Sequence, residues 1–397
     1  GAPCAPLLLD GRAAGLAGAA FAGAATIDSF DAHDGHALAK GHAGVVVLPA
    51  TLALRHGGER RSGRELLTSL VVGYEVSVRA GMALHATAGD YHASGAWNAI
   101  ACAALGARAL GLGGTPTRHA LGIAEYHAPR SQMMRCIDHP TMVRDGSAWG
   151  ALAGVGAAQL AAEGFTGAPA LLTEDAERWS DLGTRWRIVE QYIKPYPVCR
   201  WAQPAMESAL ALQRDLELPA AALESVTVTT FHEASRLACA TPSTTEEAQY
   251  SLPFAVAAAL VRGRVGAEEI GPRGIADREI LRLSRATTIE TAAAYDARFP
   301  AERWAHVTFR LRDGRGLGSE PATARGGPED PLDAAEVAAK YRALARPVLG
   351  AGTSALIEAA VGTLGDTDGD EPVLFDLLAT RPAKPAVSPG SNLATTR

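Results

Sequence analysis

Aromatic residues are scarce: Phe, Trp and Tyr make up 6% of the 397 residues, although 47% are hydrophobic. A core so poor in rings must be built from Ala, Leu and Val, with Gly permitting close approach, the composition of tightly packed helices. Cysteine is sparse too. Cys4, Cys102, Cys136, Cys199 and Cys239 are scattered and odd in number. With no Cys-x-x-Cys pair, neither a zinc ribbon nor a disulfide framework is suggested, and a reducing cytoplasm is the expected compartment. No long basic run exists and the net charge is −6, which argues against a nucleic-acid partner. No apolar stretch free of charge and glycine reaches membrane-spanning length, and no signal-peptide pattern opens the chain. The Ala-rich stretch up to Ala25 reads as the middle of a domain, so a truncated N-terminus is expected. A GxGxxG after a strand, a P-loop, a GxSxG elbow and a HExxH pair are all missing.

What is present is helical periodicity. Residues 45–54, 64–84, 96–110 and 147–163 each carry an apolar face or are apolar nearly all round, as buried bundle helices are. Thr115-Pro116 reads as a cap with Pro in the first turn of another helix. After Gly183 the texture changes. Residues 226–231, 287–291 and 306–311 alternate as half-buried strands do, with Asp313-Gly314 as a turn signal. Helices over 203–213 and 251–261 fall between and around them, giving a smaller, antiparallel α+β unit. Helical pattern resumes at Pro331. The expected fold is therefore mostly α: a large all-helical domain (1–187 and 331–397) with an inserted α+β lid (188–330). Residues 384–397 read as a loose tail.

Three polar loops stand out. The first holds Asp31, His33, Asp34, His36, Lys40 and His42, three of the chain's eleven histidines among them. Such groups collect on loops where protons move or metals bind. Their spacing matches no tight ligand motif, so no metal site is assigned. Asp31, Asp34 and His42 suit proton transfer or substrate binding, whereas His33 and Lys40 read as structural. The second loop is Tyr91-His92-Ala-Ser-Gly95, which enters a helix N-terminus. There backbone N–H groups face anions and an imidazole can exchange a proton near neutral pH. The third runs from Lys194 through Pro195, Pro197 and Cys199 to Arg200, two cations on a Pro-stiffened segment. Arg144, before another helix, is a further anion-gripping residue.

These loops, together with Ala120-Leu-Gly-Ile-Ala124 and Glu163-Gly-Phe-Thr-Gly167, resemble the MmgE/PrpD family of 2-methylcitrate dehydratases, cis-aconitate decarboxylases and iminodisuccinate epimerases. The resemblance implies a helical domain with an α+β lid, a homodimer, and cofactor-free chemistry on a small di- or tricarboxylate in the cleft between them. By position, Asp31, His42, His92 and Lys194 match the family's site residues. His92 is expected as general acid/base with Asp31 orienting it. Lys194, Arg144 and Arg200 are expected to bind carboxylate, with His42, Asp34 and Tyr250 lining the site. Three positions depart from the decarboxylases: Val143-Arg144 replaces a lysine, Cys199 a histidine, and Phe254 a tyrosine, with Tyr250 nearby. The family's N-terminal helices are expected to be missing. Dehydration of a 2-methylcitrate-like substrate is the leading expectation, with decarboxylation or epimerisation as alternatives. A metal-dependent hydrolase and a non-catalytic dimeric helical protein are the readings from other classes.

Overall fold

A computed structural model describes residues 3–55, 62–365 and 371–382. The 384–397 segment read as a tail lies outside the described residues. The first part holds the helices α1 (Leu16–Asp28), α2 (Gly44–Arg55), α3 (Gly63–Thr87), α4 (Gly95–Ala109), α5 (Gly114–His127), α6 (Met133–Asp138) and α7 (Ser147–Ala162), followed by one helical turn at Leu171–Glu174. The protein is mostly α, as the periodicity predicts. No helix among the described residues is long and apolar enough to cross a membrane.

Helix α4 is the hub, packing on α2, α3, α5 and α7. Its face is made of small residues, Ala99, Cys102, Ala103 and Gly106, all fully buried or nearly so. Opposite them stands Gly154 of α7, where an added Cβ would run into the Ala99 carbonyl and the Cys102 side chain. The low ring content is thus a packing device: backbones, rather than large side chains, meet across the seam. Helix α5 begins one residue before Thr115, with Gly113 as its N-cap, so Thr115 lies inside the first turn instead of capping it.

Two short ribbons precede the main sheet. Strand β1 (Cys4–Pro6) pairs with β2 (Ala13–Gly15), and β3 (Asp34–His36) pairs antiparallel with β4 (Gln191–Ile193). The second ribbon matters most, because it lays residue 194 beside the Asp31 loop. The main sheet holds β5 (Leu223–Thr230), β6 (Thr287–Thr291), β7 (His306–Leu311) and β8 (Gly316–Gly318) in the order β6-β5-β7-β8. It corrects the antiparallel expectation: β5 and β6 run parallel, while β5–β7 and β7–β8 are antiparallel. Alternation reports a half-buried face but carries no strand direction, and the helices Leu252–Arg262 and Arg278–Arg285 provide the crossover that a parallel pair needs. Leu223, Val226 and Val228 of β5 pack with Met206, Phe254, Ile280 and Phe309 in one core.

Gly263, at φ 67°, ends the helix before it. The long segment Ala334–Gly362 bends at Gly350 (φ 78°), and its Ile357 and Ala360 pack on Leu52 of α2 and Leu66 of α3.

Candidate active site

Lys194 is fully buried, an unusual place for a lysine, and it is paired. Its Nζ donates to Asp31 Oδ1 (2.6 Å) and to the Asp31 carbonyl (3.3 Å). The β3–β4 ribbon makes this meeting possible: Asp34 lies opposite Ile193, so the residues on either side converge. Burial opposes ionisation of Asp31, yet Lys194, His33 and Arg144 together hold its carboxyl well below the usual range.

Arg144 joins from the turn before α7. Its backbone is left-handed (φ 53°), a conformation that costs a non-glycine residue about 1–2 kcal/mol. Such strain gathers at functional sites. Its Nε donates to the Asp28 carbonyl (2.9 Å) and its Nη2 to Gln249 Oε1 (2.9 Å). The same Gln249 oxygen accepts the Asp31 amide (2.7 Å), so one amide side chain locks cation and carboxylate in register. The Arg144 guanidinium lies 4.9 Å from the Tyr250 ring, a cation–π contact.

Two histidines fill the space between. The rings of His33 and His42 are 4.2 Å apart. His42 Nδ1 is 2.5 Å from the Asp34 carbonyl, which can only accept, so Nδ1 carries the proton and Nε2 the free lone pair. That Nε2 sits 3.9 Å from Asp145 Oδ2, which in turn accepts from Ser94 Oγ (2.7 Å). Gly35 is required here, because a Cβ would collide with the Tyr192 hydroxyl and lie 2.7 Å from His42 Nδ1. His33 Nε2 lies 3.3 Å from Asp31 Oδ1 and 3.7 Å from Asp28 Oδ1, without hydrogen-bond alignment to either. Burial, then the Lys194 charge, push His33 down to about 3. Burial and the neighbouring His33 push His42 well below its ordinary value. Both imidazoles are neutral at pH 7. Asp28 goes the other way, raised to about 6 by burial.

His33, which the sequence reads as structural, has its ring inside the charged group. Asp31, Lys194, His42, Arg144 and Tyr250 are brought together around it. Asp34 is adjacent but engaged elsewhere: its carboxylate accepts from Tyr74 Oη (2.5 Å), and only its carbonyl touches His42. His92 sits on a neighbouring face. Its Nδ1 is 2.9 Å from the Asp90 carbonyl, which again leaves Nε2 with the lone pair, and its amide donates to His85 Nε2 (3.3 Å). Ser94, two residues on, is the part of that loop that enters the group. Arg200 is drawn away from the Asp31–Lys194 pair. Its guanidinium donates to Gln203 Oε1 and to the carbonyls of Ala324 and Arg325. Cys199 remains a thiol, raised to about 12 by burial.

Four participants escaped the sequence reading: Asp28, Asp145, Gln249 and Lys340. Lys340, from the segment Ala334–Gly362, donates to the Ala32 carbonyl (2.6 Å) and is lowered to about 8, first by burial and then by Lys194. A signal for it existed. The chain has 37 Lys and Arg residues but only four lysines, Lys40, Lys194, Lys340 and Lys384. Where arginine is used almost everywhere, a retained lysine marks a compact point charge.

Asp31, His33 and His42 place ligand atoms within 4.8 Å of one another, close enough to hold a metal ion. The position beside Asp31 already has its cation in Lys194, and a divalent ion would crowd against that ammonium and Arg144.

Two family models match the chain, the MmgE/PrpD N-terminal domain over residues 1–187 and the MmgE/PrpD C-terminal domain over residues 196–365. A cis-aconitate decarboxylase-like protein of Aspergillus oryzae, oryM, is 24% identical over 412 residues, 93% of this chain and 83% of the fungal protein.

Proposed function

Because the chain belongs to the MmgE/PrpD family, we propose that it is a lyase acting on a small di- or tricarboxylate, with proton transfer at the carbon alpha to a carboxylate. One observation carries this reading: five buried polar atoms without a hydrogen-bond partner surround the Lys194–Asp31 pair. They are Asp31 Oδ2, His33 Nδ1 and Nε2, Arg144 Nη1 and Asp145 Oδ1. Unpaired polar atoms in a core each cost about 1–3 kcal/mol, so a group of them is built for a polar ligand that completes it.

Arg144 Nη1 and Lys194 supply the positive charge for a substrate carboxylate. Loss of the alpha proton throws charge onto that carboxylate as an enediolate, which fixed cations in a dry site stabilise strongly. The proton goes to an imidazole nitrogen; we assign His92 as that general acid/base, while His33 and His42 stand beside the Lys194–Asp31 pair. In dehydration the electron pair then forms C=C while hydroxide leaves the beta carbon and is protonated to water. Decarboxylation is the second reading, favoured by the name of the fungal relative: the C–CO2 bond breaks and the carbon takes the proton. Incubating the protein with 2-methylcitrate, citrate, cis-aconitate and iminodisuccinate in D2O, followed by proton NMR, tests the reading. Deuterium should enter alpha to a carboxylate of one of them, and no exchange with any would count against it.

Three further outcomes are expected. Exhaustive chelation should leave turnover unchanged, because Lys194 occupies the cation position; loss on chelation with recovery on metal return would reverse this assignment. His92→Asn should fold normally and lower kcat by roughly 10²-fold or more. Lys340→Met should lower kcat by roughly tenfold or more, since a slack Asp31–His33 loop misplaces reacting groups. Lys340→Arg should restore part of that rate.

A further inference from the structure

Tyr192 touches two places at once. Its ring lies 6.4 Å from that of His42, and the Arg200 guanidinium lies 4.5 Å from its centre. Arg200 lines a separate cavity of about 160 Å³ together with Ala37, Tyr192, Arg303, Ala324 and Gly327. Arg200 and Arg303 are each only 9% exposed. Among the described residues neither forms an ion pair. The acceptors of Arg200 are a side-chain amide and two carbonyls, all neutral. Arg303 is less well served: Nη2 makes a long contact to the Ala37 carbonyl (3.4 Å), and its buried Nε has no partner at all.

Two buried guanidiniums without a direct ion pair are costly, and they repel each other; Glu207 acts on Arg200 only from beyond ion-pair distance. Burial lowers Arg200 to about 10; Tyr192 and Glu207 oppose that shift, and the charge of Arg303 adds to it. We infer that this cavity is a binding site for the carboxylate of a small molecule, held between the guanidiniums of Arg200 and Arg303. The site is distinct from the Asp31–Lys194 group and does not depend on the reaction proposed there.

Acidic residues also line the cavity, and their placement narrows the ligand. Glu302, Glu329 and Asp330 are exposed. Glu302 accepts from Arg298 and Trp304, and Asp330 pairs with Arg325. Glu190 is neutralised by Arg185, Arg187 and His36. The exposed acids disfavour a doubly charged phosphate more than a singly charged carboxylate, while the buried arginines favour both. The cavity also reaches the first polar loop, because the Ala37 carbonyl that Arg303 contacts follows His36 directly.

Calorimetric titration tests the inference, with acetate and inorganic phosphate as probes and the intact chain as receptor. Acetate should bind the wild type saturably and more tightly than phosphate. Arg303→Gln should weaken acetate by at least about tenfold, the loss expected when a buried charge partner is removed. Should Arg303→Gln fail to fold, Thr323→Glu places a competing carboxylate at the cavity and should block acetate without touching a buried charge. Arg144→Met, in the other site, should leave this binding in place. Acetate binding that survives both Arg303→Gln and Thr323→Glu, that disappears in Arg144→Met, or that is absent from the wild type overturns the assignment. Phosphate binding tighter than acetate overturns the choice of carboxylate.

Discussion

Lys194→Met should destabilise the fold by about 3–5 kcal/mol and abolish turnover, the largest effect expected of any single substitution here. The two partners of the ion pair are almost wholly removed from solvent, with side chains 1% and 2% exposed at 2.6 Å separation. Removing the ammonium strands the Asp31 carboxylate in a medium that cannot solvate it. Arg144 forms no hydrogen bond or ion pair with Asp31, and its Nε and Nη2 are held by Asp28 and Gln249, so it only partly offsets the loss. Asp31→Asn should cost a similar amount for the mirror-image reason. The double variant Asp31→Asn/Lys194→Met is the informative one. With neither charge buried, most of the stability should return, since neighbours sharing one interaction are not additive. Turnover should not return, because the substrate carboxylate has lost one of its two cations. Urea unfolding of the four proteins measures the first statement, and deuterium exchange from D2O the second. If the single variants unfold within about 1 kcal/mol of wild type, the pair behaves like an exposed salt bridge and the closed site is wrong.

Part of the clustering around Asp31 is legible in the sequence. Asp31, His42 and Lys194 stand out because polar groups on Gly- and Pro-bounded loops have few structural reasons to cluster. The helices were legible for a simpler reason: three-to-four-residue periodicity records which face is buried. Sheet direction was not, since alternation along 226–231 and 287–291 is the same in parallel and antiparallel pairs. The position of His33 was not legible, because sequence cannot tell which histidines of a loop turn inward. In the folded chain the β3–β4 ribbon takes His36 to Glu190 and leaves His33 against Asp31. Arg200 was misplaced for a related reason. Six residues past Lys194 its side chain meets the carbonyls of Ala324 and Arg325, a contact more than a hundred residues away in sequence. Gln249 and Lys340 show the same limit, because each reaches the site across a distance that no local motif spans.

The acid side of the stability profile should carry the signature of His33. Its folded pKa is about 3 against an ordinary 6.5, so above pH 6.5 the ring is neutral in both states and contributes no pH dependence. As pH falls below 6.5 the unfolded chain takes up a proton that the folded chain refuses until about pH 3, and stability drops through that window. Asp28 has the opposite sign. Raised to about 6 from an ordinary 3.8, it binds a proton in the folded state first, so its ionisation penalty is relieved as pH falls from 6 to 3.8. The two therefore offset each other between pH 6 and about 4. Below that, Asp28 has nothing left to give. His33 continues to weaken the fold, and the depressed Asp31 carboxyl adds its own loss as it is finally protonated. Other buried histidines also titrate, so the clean observable is the difference between a variant and the wild type at each pH. His33→Gln should gain on wild type by roughly 2–3 kcal/mol between pH 7 and pH 4, because the protonation penalty is gone. Asp28→Asn should fall behind wild type over the same interval, because the compensating proton uptake is gone. Chemical unfolding measured at half-unit steps of pH separates the two. A His33→Gln curve parallel to wild type from pH 7 to pH 4 would mean that the imidazole is solvated in the folded state, and would take His33 out of the closed, charged group.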